Sequence, residues 1–394
     1  MIYLVVIILL LLLSFIYDIN GKERNKLFWY NVMLVVFILI AGLRYRIGVD
    51  TVGYLYTYYH DTPNLSYYLS RNIFSVSSFM WRLINSFFYT IGTPFYVIQI
   101  LTATFINCLF FLYIKKHSSN LFSCLFFYFV GFYPLLNFET MKASYAIAIC
   151  LFANDCFLEK RWLKGLLLYL VATGFHLSTI GLFIVPALLF LRFNKWGVAF
   201  LLITYVGGFY IQKVLGDYIL IFDVLDNDTI SDKLEGYAES DKYGSAMRML
   251  SIIKNIPLIL YSFISVKYSF KCDRHNKLLV LEPFLMIAML LLVLQFNIYI
   301  FYRLFDFFFI YLCLFFSQLF VDLAKSRRFK TSLSYTRALI FILPLVIIFL
   351  WKYQSKNRFR YYPYATIIDK SIDKDREDLF NRIRDGKTAR FDEY

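Results

Sequence analysis

Long apolar runs recur along the chain, each closed by a short basic or polar cluster, and a helix needs roughly 20 apolar residues to cross a bilayer. The first run, Ile2 to Tyr17, ends in GKERNK, and Lys22, Arg24 and Lys26 place that loop in the cytoplasm by the positive-inside rule. The N-terminus is then outside, and Leu27 to Leu43 returns outward. Arg44 to about Thr93 becomes a long external segment. Its apolar stretch from Val76 to Tyr89 carries Trp81, Arg82 and Asn85, as a helix lying in the interface would. Pro94 to Ile114 runs in to Lys115, Lys116 and His117, and Leu121 to Tyr133 comes out to Pro134, Asn137 and Glu139. Ala143 to Leu158 runs in again, headed by Lys142 and stopped by EKRWLK.

From Gly165 the chain is apolar to Leu191 and then basic at Arg192 and Lys195. Two cytoplasmic flanks require an excursion out and back, turning near Gly174, Phe175 and His176. Its arms of roughly 11 and 15 residues give about 16 and 22 Å of helix, short of about 30 Å of hydrocarbon. A histidine and non-helical backbone at that depth require protein or water around them, which predicts a hydrated vestibule with His176 near its floor. Val198 to Ile211 goes out to a polar external loop, 213–247. Leu250 to Val266, Leu278 to Phe296, Leu304 to Leu323 and Ala338 to Trp351 complete the set, with basic clusters at Lys267–Lys277 and Lys325–Lys330. The expected organisation is one transmembrane domain, residues 1–351, with external loops 44–93 and 213–247, and a charged C-terminal tail, 352–394. The tail falls outside despite its lysines and arginines, because acids from Asp369 to Asp385 interleave with them. Were the Gly174 hairpin one long span, the tail would move inside and both late basic clusters would face outward.

Composition agrees with the pattern. Of 394 residues, 60% are hydrophobic, 21% aromatic and 17% charged, whereas soluble domains run at about 45–50% apolar and about 25% charged. The excess is Leu, Ile, Phe and Tyr, so aromatic bulk is expected to fill the helix packing. A net charge of +14 raises the question of nucleic acid. The basic residues sit in short clusters between apolar runs, which is membrane topology and excludes that partner. Six cysteines show no CxxC pair and no histidine at ligand spacing, so they read as buried thiols. Met1 to Tyr17 lacks a basic leader and a small-residue cleavage site, which favours a retained first span.

Ionisable groups that are neither cytoplasmic anchors nor loop solvation gather on the outer side: Arg44, Arg46, Asp50, His60, Lys142, His176, Arg248 and Arg303. Cations there run against the positive-inside bias, and an arginine fork suits a phosphate. Each also has a plainer reading. Arg44 fits an anchor at a span's end, Asp50 a partner for Arg46, and Arg303, between Tyr302 and Asp306, an interhelical ion pair. Lys142 stands at an outward helix N-terminus, where a cation opposes the dipole. His176 suits a base, a donor or a packed core residue. The tyrosines around Tyr54 and Tyr58, and Tyr302 later, fit interfacial belt aromatics or, beside arginines, the apolar faces of a sugar. No nucleophile elbow, glycine-rich phosphate loop or HExxH is present in these loops.

These residues bring a family with them. GLRYRIGVDTVGYLY resembles the Arg-x-x-x-Gly-x-Asp-Thr segment of the EpsG family, and MKASYAIAICLF followed by KGLLLYLVATGFHLSTI resembles its paired-helix motif ending in Phe-His-x-Ser. NIYIFYRLFDFFF and YYPY are similar too. Carried over by position, Arg46 and Asp50 match the first motif, His176 and Ser178 the second, and Arg303 the third. Lys142 followed by alanine stands where the family's pattern has Arg followed by Gln, which keeps the charge and loses the fork.

The resemblance implies a Wzy-type polysaccharide polymerase in a bacterial cytoplasmic (inner) membrane, its site facing outside. The fold expected is all-α and polytopic, with about 12 transmembrane or re-entrant helices, glycosyltransferase-C-like. It implies a donor and acceptor that are undecaprenyl-pyrophosphate-linked oligosaccharides, joined into O-antigen, capsule or exopolysaccharide without cofactor, metal or nucleotide sugar. The lipid bilayer and a chain-length regulator protein are the further partners. Arg44, Arg46, Lys142, Arg248 and Arg303 would bind pyrophosphate. Tyr54, Tyr58 and Tyr302 would hold sugar. Catalysis would fall to His176 as general base, with Asp50 orienting it or serving as the alternative base, and to Arg46. An O-antigen ligase using the same donor, and a flippase or transporter, are the rival classes.

Overall fold

The computed structural model describes residues 2–70, 78–192, 196–197, 199–204, 276–294, 300–325, 338–343 and 364–368, with a few shorter pieces besides. Among these the chain is all-helical, with no strand and one isolated antiparallel bridge, Arg44 to Thr366. In chain order the helices are α1 (Ile2–Leu13), which continues as a π-helical turn Ser14–Ile19, α2 (Lys26–Gly42), α3 (Val49–His60), α4 (Leu65–Ser70) and α5 (Phe79–Thr90). Then come α6 (Phe95–His117), α7 (Leu121–Gly131), a second π-helical turn Leu135–Glu139, α8 (Met141–Leu158) and α9 (Trp162–Phe175). A 3₁₀ segment, Leu177–Ile184, leads into α10 (Val185–Leu188), and α11 (Asn276–Leu279), α12 (Glu282–Leu294), α13 (Ile300–Phe305) and α14 (Phe309–Lys325) follow. Three helices among the described residues are long and apolar enough to cross a membrane: Ile2–Ile19, Phe95–His117 and Met141–Leu158.

Two compact units divide the chain. The first comprises Met1–Ile180 with Phe320–Tyr394, and the second Gly181–Leu319. In the first unit α2 packs on α6, α1 on α7, α6 on α8, and α8 with α9 forms a helical hairpin. Aromatic rings fill its interior, as the composition suggests. Phe37 meets Tyr133 at 4.8 Å and Phe111 at 5.3 Å, while Phe110 stacks on Tyr128 at 4.9 Å. The phenols find backbone acceptors in that apolar setting, Tyr133 donating to Phe37 O at 2.6 Å and Tyr30 to Phe111 O at 2.8 Å. In the second unit α12 is buried from Pro283 to Val293, and Phe284 stacks on Tyr311.

α6 sets the two ends of the first unit. Pro94 opens it and Lys115, Lys116 and His117 occupy its last turn, a cationic end that suits the helix dipole. Its 23 residues make it about 33 Å long. At one end Lys116 and His117 meet Asp155 of α8, and Lys26 reaches Ser119 O. At the other, Gln99 meets the loop after α2. Three of the basic clusters read from sequence as cytoplasmic, those of Lys26, Lys116 and Arg161, thus lie together, and the loop containing Arg44 lies at the far end.

Candidate functional site

The loop from Leu43 to Gly48 is held on every side. Gln99 Nε2 donates to Gly42 O at 2.7 Å and to Arg44 O at 2.8 Å. From the tail, Tyr45 N–H donates to Ala365 O and Ile367 N–H to Leu43 O, both at 2.8 Å. Tyr364 donates to Ile40 O, and Tyr3 to Tyr361 O. Tyr361 and residues 364–367 of the tail therefore sit at the Arg44 end.

Arg44 points inward. It is 1% exposed, with its guanidinium donating to Ala41 O, Ile47 O, Thr51 Oγ1 and Met141 Sδ, and lying 5.5 Å from the Phe138 ring centre. Burial lowers the guanidinium's pKa to about 10, with nearby Glu139 among the groups that resist the shift. It stays charged at neutral pH. The reason it turns inward is local: carbonyls at a helix C-terminus lack intrahelical donors, and an arginine just past the last turn can satisfy one. Read from sequence as a pyrophosphate contact, Arg44 is a strut between α2, α3 and α8. Tyr58, read as a sugar contact, is likewise 1% exposed, with its hydroxyl on Thr93 O at 2.6 Å and its ring against Tyr59, Tyr89 and Phe95. It is packing. His60 stacks on Tyr56, one helical turn before it, and is exposed.

Gly48 joins this loop to α3 at φ +96°, a backbone conformation that side chains rarely adopt. A Cβ there would come within 2.1 Å of Phe138 O. That close approach lets two neighbours clasp the π-helical turn before α8. Thr51 Oγ1 donates to Phe138 O at 2.8 Å, and Asp50 N–H donates to Glu139 Oε2 at 3.0 Å. Arg46 is half-buried in the left-handed region at φ 51°, with its guanidinium 5.2 Å from the Tyr45 ring centre. Asp50, in the first turn of α3, is half-buried.

An aromatic chain joins this clasp to His176. Lys142 Nζ, in the first turn of α8, lies 5.7 Å from the Tyr54 ring centre. Tyr54 meets Trp81 of α5 at 5.5 Å, Trp81 meets Tyr145 of α8 at 6.1 Å, and Tyr145 stacks on Phe175 at 4.8 Å and 3°. Phe175 is the last residue of α9, and His176 follows it in extended conformation. At Gly174 a Cβ would meet Met80 and the Phe79 ring under 3 Å, so glycine lets α9 end hard against α5. The predicted break at Gly174–His176 is thus a helix end stacked on α8. His176 is half-exposed, and its Nδ1 accepts the Ser178 N–H at 3.3 Å. An acceptor Nδ1 leaves the neutral ring's proton on Nε2.

Arg46, Asp50, Tyr54, Lys142 and His176 all belong to the first unit, set in or beside this clasp and its aromatic chain. Tyr302 and Arg303 lie on α13 of the second unit. Arg248 falls outside the described residues, as do the whole of loop 213–247 and most of the tail. Among the described residues no three His, Cys, Asp or Glu side chains gather as metal ligands would.

The EpsG family model matches residues 27–366. The chain belongs to the EpsG family. With its apolar helices, that membership makes it an exopolysaccharide-related membrane protein. No curated protein and no solved structure matches the chain. The family's Arg-x-x-x-Gly-x-Asp-Thr spacing, counted back from Gly48, puts its arginine at Arg44, so the carry-over onto Arg46 is displaced by two residues. In this chain each named residue of that segment has a contact in the clasp: Arg44 the strut, Gly48 the close approach, Asp50 the N–H to Glu139, Thr51 the hydroxyl to Phe138 O. Sequence reasoning passed over Glu139 and Tyr145. The signal for Glu139 was an acid at the mouth of an outward span, one residue before Thr140 and three before Lys142.

Proposed function

We propose that this protein is a metal-independent membrane glycosyltransferase that joins undecaprenyl-pyrophosphate-linked repeat units at the outer leaflet of the cytoplasmic membrane. One observation carries the reading: Arg46, Asp50, Tyr54 and Lys142 lie in or beside one clasp at the end of α6 remote from Lys116 and His117, and an aromatic chain leads from that clasp to His176. Cations, a carboxylate, an imidazole and sugar-sized aromatic faces are what a lipid-pyrophosphate glycosyl donor requires. The proposed site faces outside, on a glycosyltransferase-C-like scaffold of about 12 transmembrane or re-entrant segments, with a chain-length regulator as a partner.

In this reading a hydroxyl of the incoming unit attacks C1 of the growing chain's reducing sugar. The C1–O bond to pyrophosphate breaks, and pyrophosphate leaves with the bonding pair. Arg46 and Lys142 balance its charge, taking the part that a divalent cation plays elsewhere. The base role read for His176 passes to Asp50, because a ring whose Nδ1 is an acceptor presents an Nε2–H. Asp50 takes the hydroxyl's proton, and His176 donates a hydrogen bond to the sugar or the leaving phosphate. Tyr54 offers a ring face to the sugar.

The test is chain length. Asp50→Asn, Arg46→Ala and His176→Ala, each expressed at the wild-type level, are expected to leave cells with single repeat units. Loss of Asp50 as base should cost roughly 10²–10⁴-fold in rate. A normal long-chain ladder from any of them would sink that residue's role. Polymer made by purified protein from lipid-linked units, without an ion gradient, would separate polymerisation from transport.

A further inference from the structure

The clasp contains one carboxylate to which the proposed chemistry gives no part. Glu139 is 1% exposed and ends the π-helical turn Leu135–Glu139, immediately before α8. Its Oε2 accepts the backbone N–H of Asp50 at 3.0 Å. Its charge lies close enough to Arg44 to favour the charged guanidinium. Phe138, its neighbour, takes the Thr51 hydroxyl on its carbonyl and leaves no room for a side chain at Gly48. Two residues of the π-helical turn thereby fix three residues at the start of α3.

A carboxylate at a helix N-terminus receives a charge-assisted hydrogen bond and the favourable end of the dipole. A single inserted residue, as in a π-helical turn, changes the direction in which the following side chain points, and such turns recur at functional sites. Here the turn delivers Glu139 to the first turn of α3 and to Arg44 together. The position of the Asp50 carboxylate is set by the backbone to which Glu139 is bonded.

Resting on the polymerase reading, we propose that Glu139 is a positioning residue: its buried carboxylate, held beside Arg44, fixes the first turn of α3 and with it the place where Asp50 meets the acceptor hydroxyl. Glu139 touches no substrate in this assignment. Its removal is therefore expressed in turnover and spares binding. The carbonyl oxygen of glutamine can accept the same N–H without the charge, so Glu139→Gln separates the hydrogen bond from the electrostatic part.

The experiment uses the full chain in lipid nanodiscs and, as substrate, the lipid-linked repeat unit extracted from cells that lack the gene. Wild type, Glu139→Gln, Glu139→Asp and Glu139→Ala are compared for kcat and KM at equal monodisperse protein. Glu139→Ala is expected to lose at least tenfold in kcat with KM within twofold of wild type, and Glu139→Gln to recover at least threefold of that loss. An alanine variant with wild-type kcat, or one whose loss lies wholly in KM, overturns the inference and leaves the polymerase reading standing. Should the alanine variant not be monodisperse, Glu139→Asp decides: its shorter side chain is expected to lower kcat at unchanged KM, and wild-type kcat overturns the inference. No polymer from wild type under these conditions overturns the polymerase reading itself.

Discussion

The two ends of the first unit spend their charges differently. At the Lys116 end, Lys116 pairs with Asp155 at 2.6 Å and with Glu159 at 3.4 Å, His117 shares Asp155, and Arg161 pairs with Glu159. The Lys116 side chain keeps 49% of its surface exposed, and the buried Asp155 also has His117 and Tyr113 as partners, so no single contact decides this end. At the Arg44 end the guanidinium is buried, and its hydrogen-bond partners are two carbonyls, a hydroxyl and a thioether fixed by α2, α3 and α8. One end is a set of anchors that would tolerate rearrangement. The other is a single arrangement in which each member specifies the next.

Substitutions at four positions test that contrast. Arg44→Ala should be the most damaging, because it leaves Ala41 O, Ile47 O and Glu139 without their buried cation. A loss of about 3–5 kcal/mol should appear as a large fall in melting temperature and absence of polymer, and Arg44→Lys should fail to rescue it, since one ammonium cannot span those partners. Gly48→Ala follows, combining a positive φ with a Cβ 2.1 Å from Phe138 O. A cost of about 1–3 kcal/mol from the clash, besides the backbone strain, predicts a lower melting temperature and short chains on a gel. Thr51→Val keeps the shape and removes a hydroxyl that donates to Phe138 O and accepts from Arg44. About 1–3 kcal/mol is expected by thermal denaturation, with a partial loss of long chains. Lys116→Ala should cost least, no more than about 1 kcal/mol, and leave the ladder unchanged. An equal fall for Lys116→Ala and Thr51→Val would erase the distinction between the two ends.

Much of the helical layout was legible because its boundaries are chemical. Leu27–Leu43 was read where α2 runs Lys26–Gly42, Pro94–Ile114 where α6 runs Phe95–His117, and Ala143–Leu158 where α8 runs Met141–Leu158. Proline, lysine clusters and the break at His176 mark such edges in any sequence. The external segment was read as loop with one interfacial helix. It contains α3, α4 and α5, and the alternation of tyrosine with small polar residues hid α3 from an apolar-periodicity reading. The site was legible as a set of residue types and only partly as a geometry. A cation that runs against the positive-inside bias suggests a ligand only if nothing in the protein offsets its burial. For Arg44 the free carbonyls at the end of α2 and the carboxylate of Glu139 do so, and neither is visible from charge spacing. Nor does hydropathy reveal that a stretch after the last span returns to pair with residues 43–45.

That return has a consequence for how the protein is made. Leu43 and Tyr45 leave the ribosome long before Ala365 and Ile367, which satisfy their backbone groups. The loop ahead of Gly48 waits, through the insertion of nearly every helix, for its last hydrogen bonds. A chain cut short before residue 361 would hold Ile2–Ile19, Phe95–His117 and Met141–Leu158 and lack a finished loop, so this corner of the molecule closes only after those helices are made.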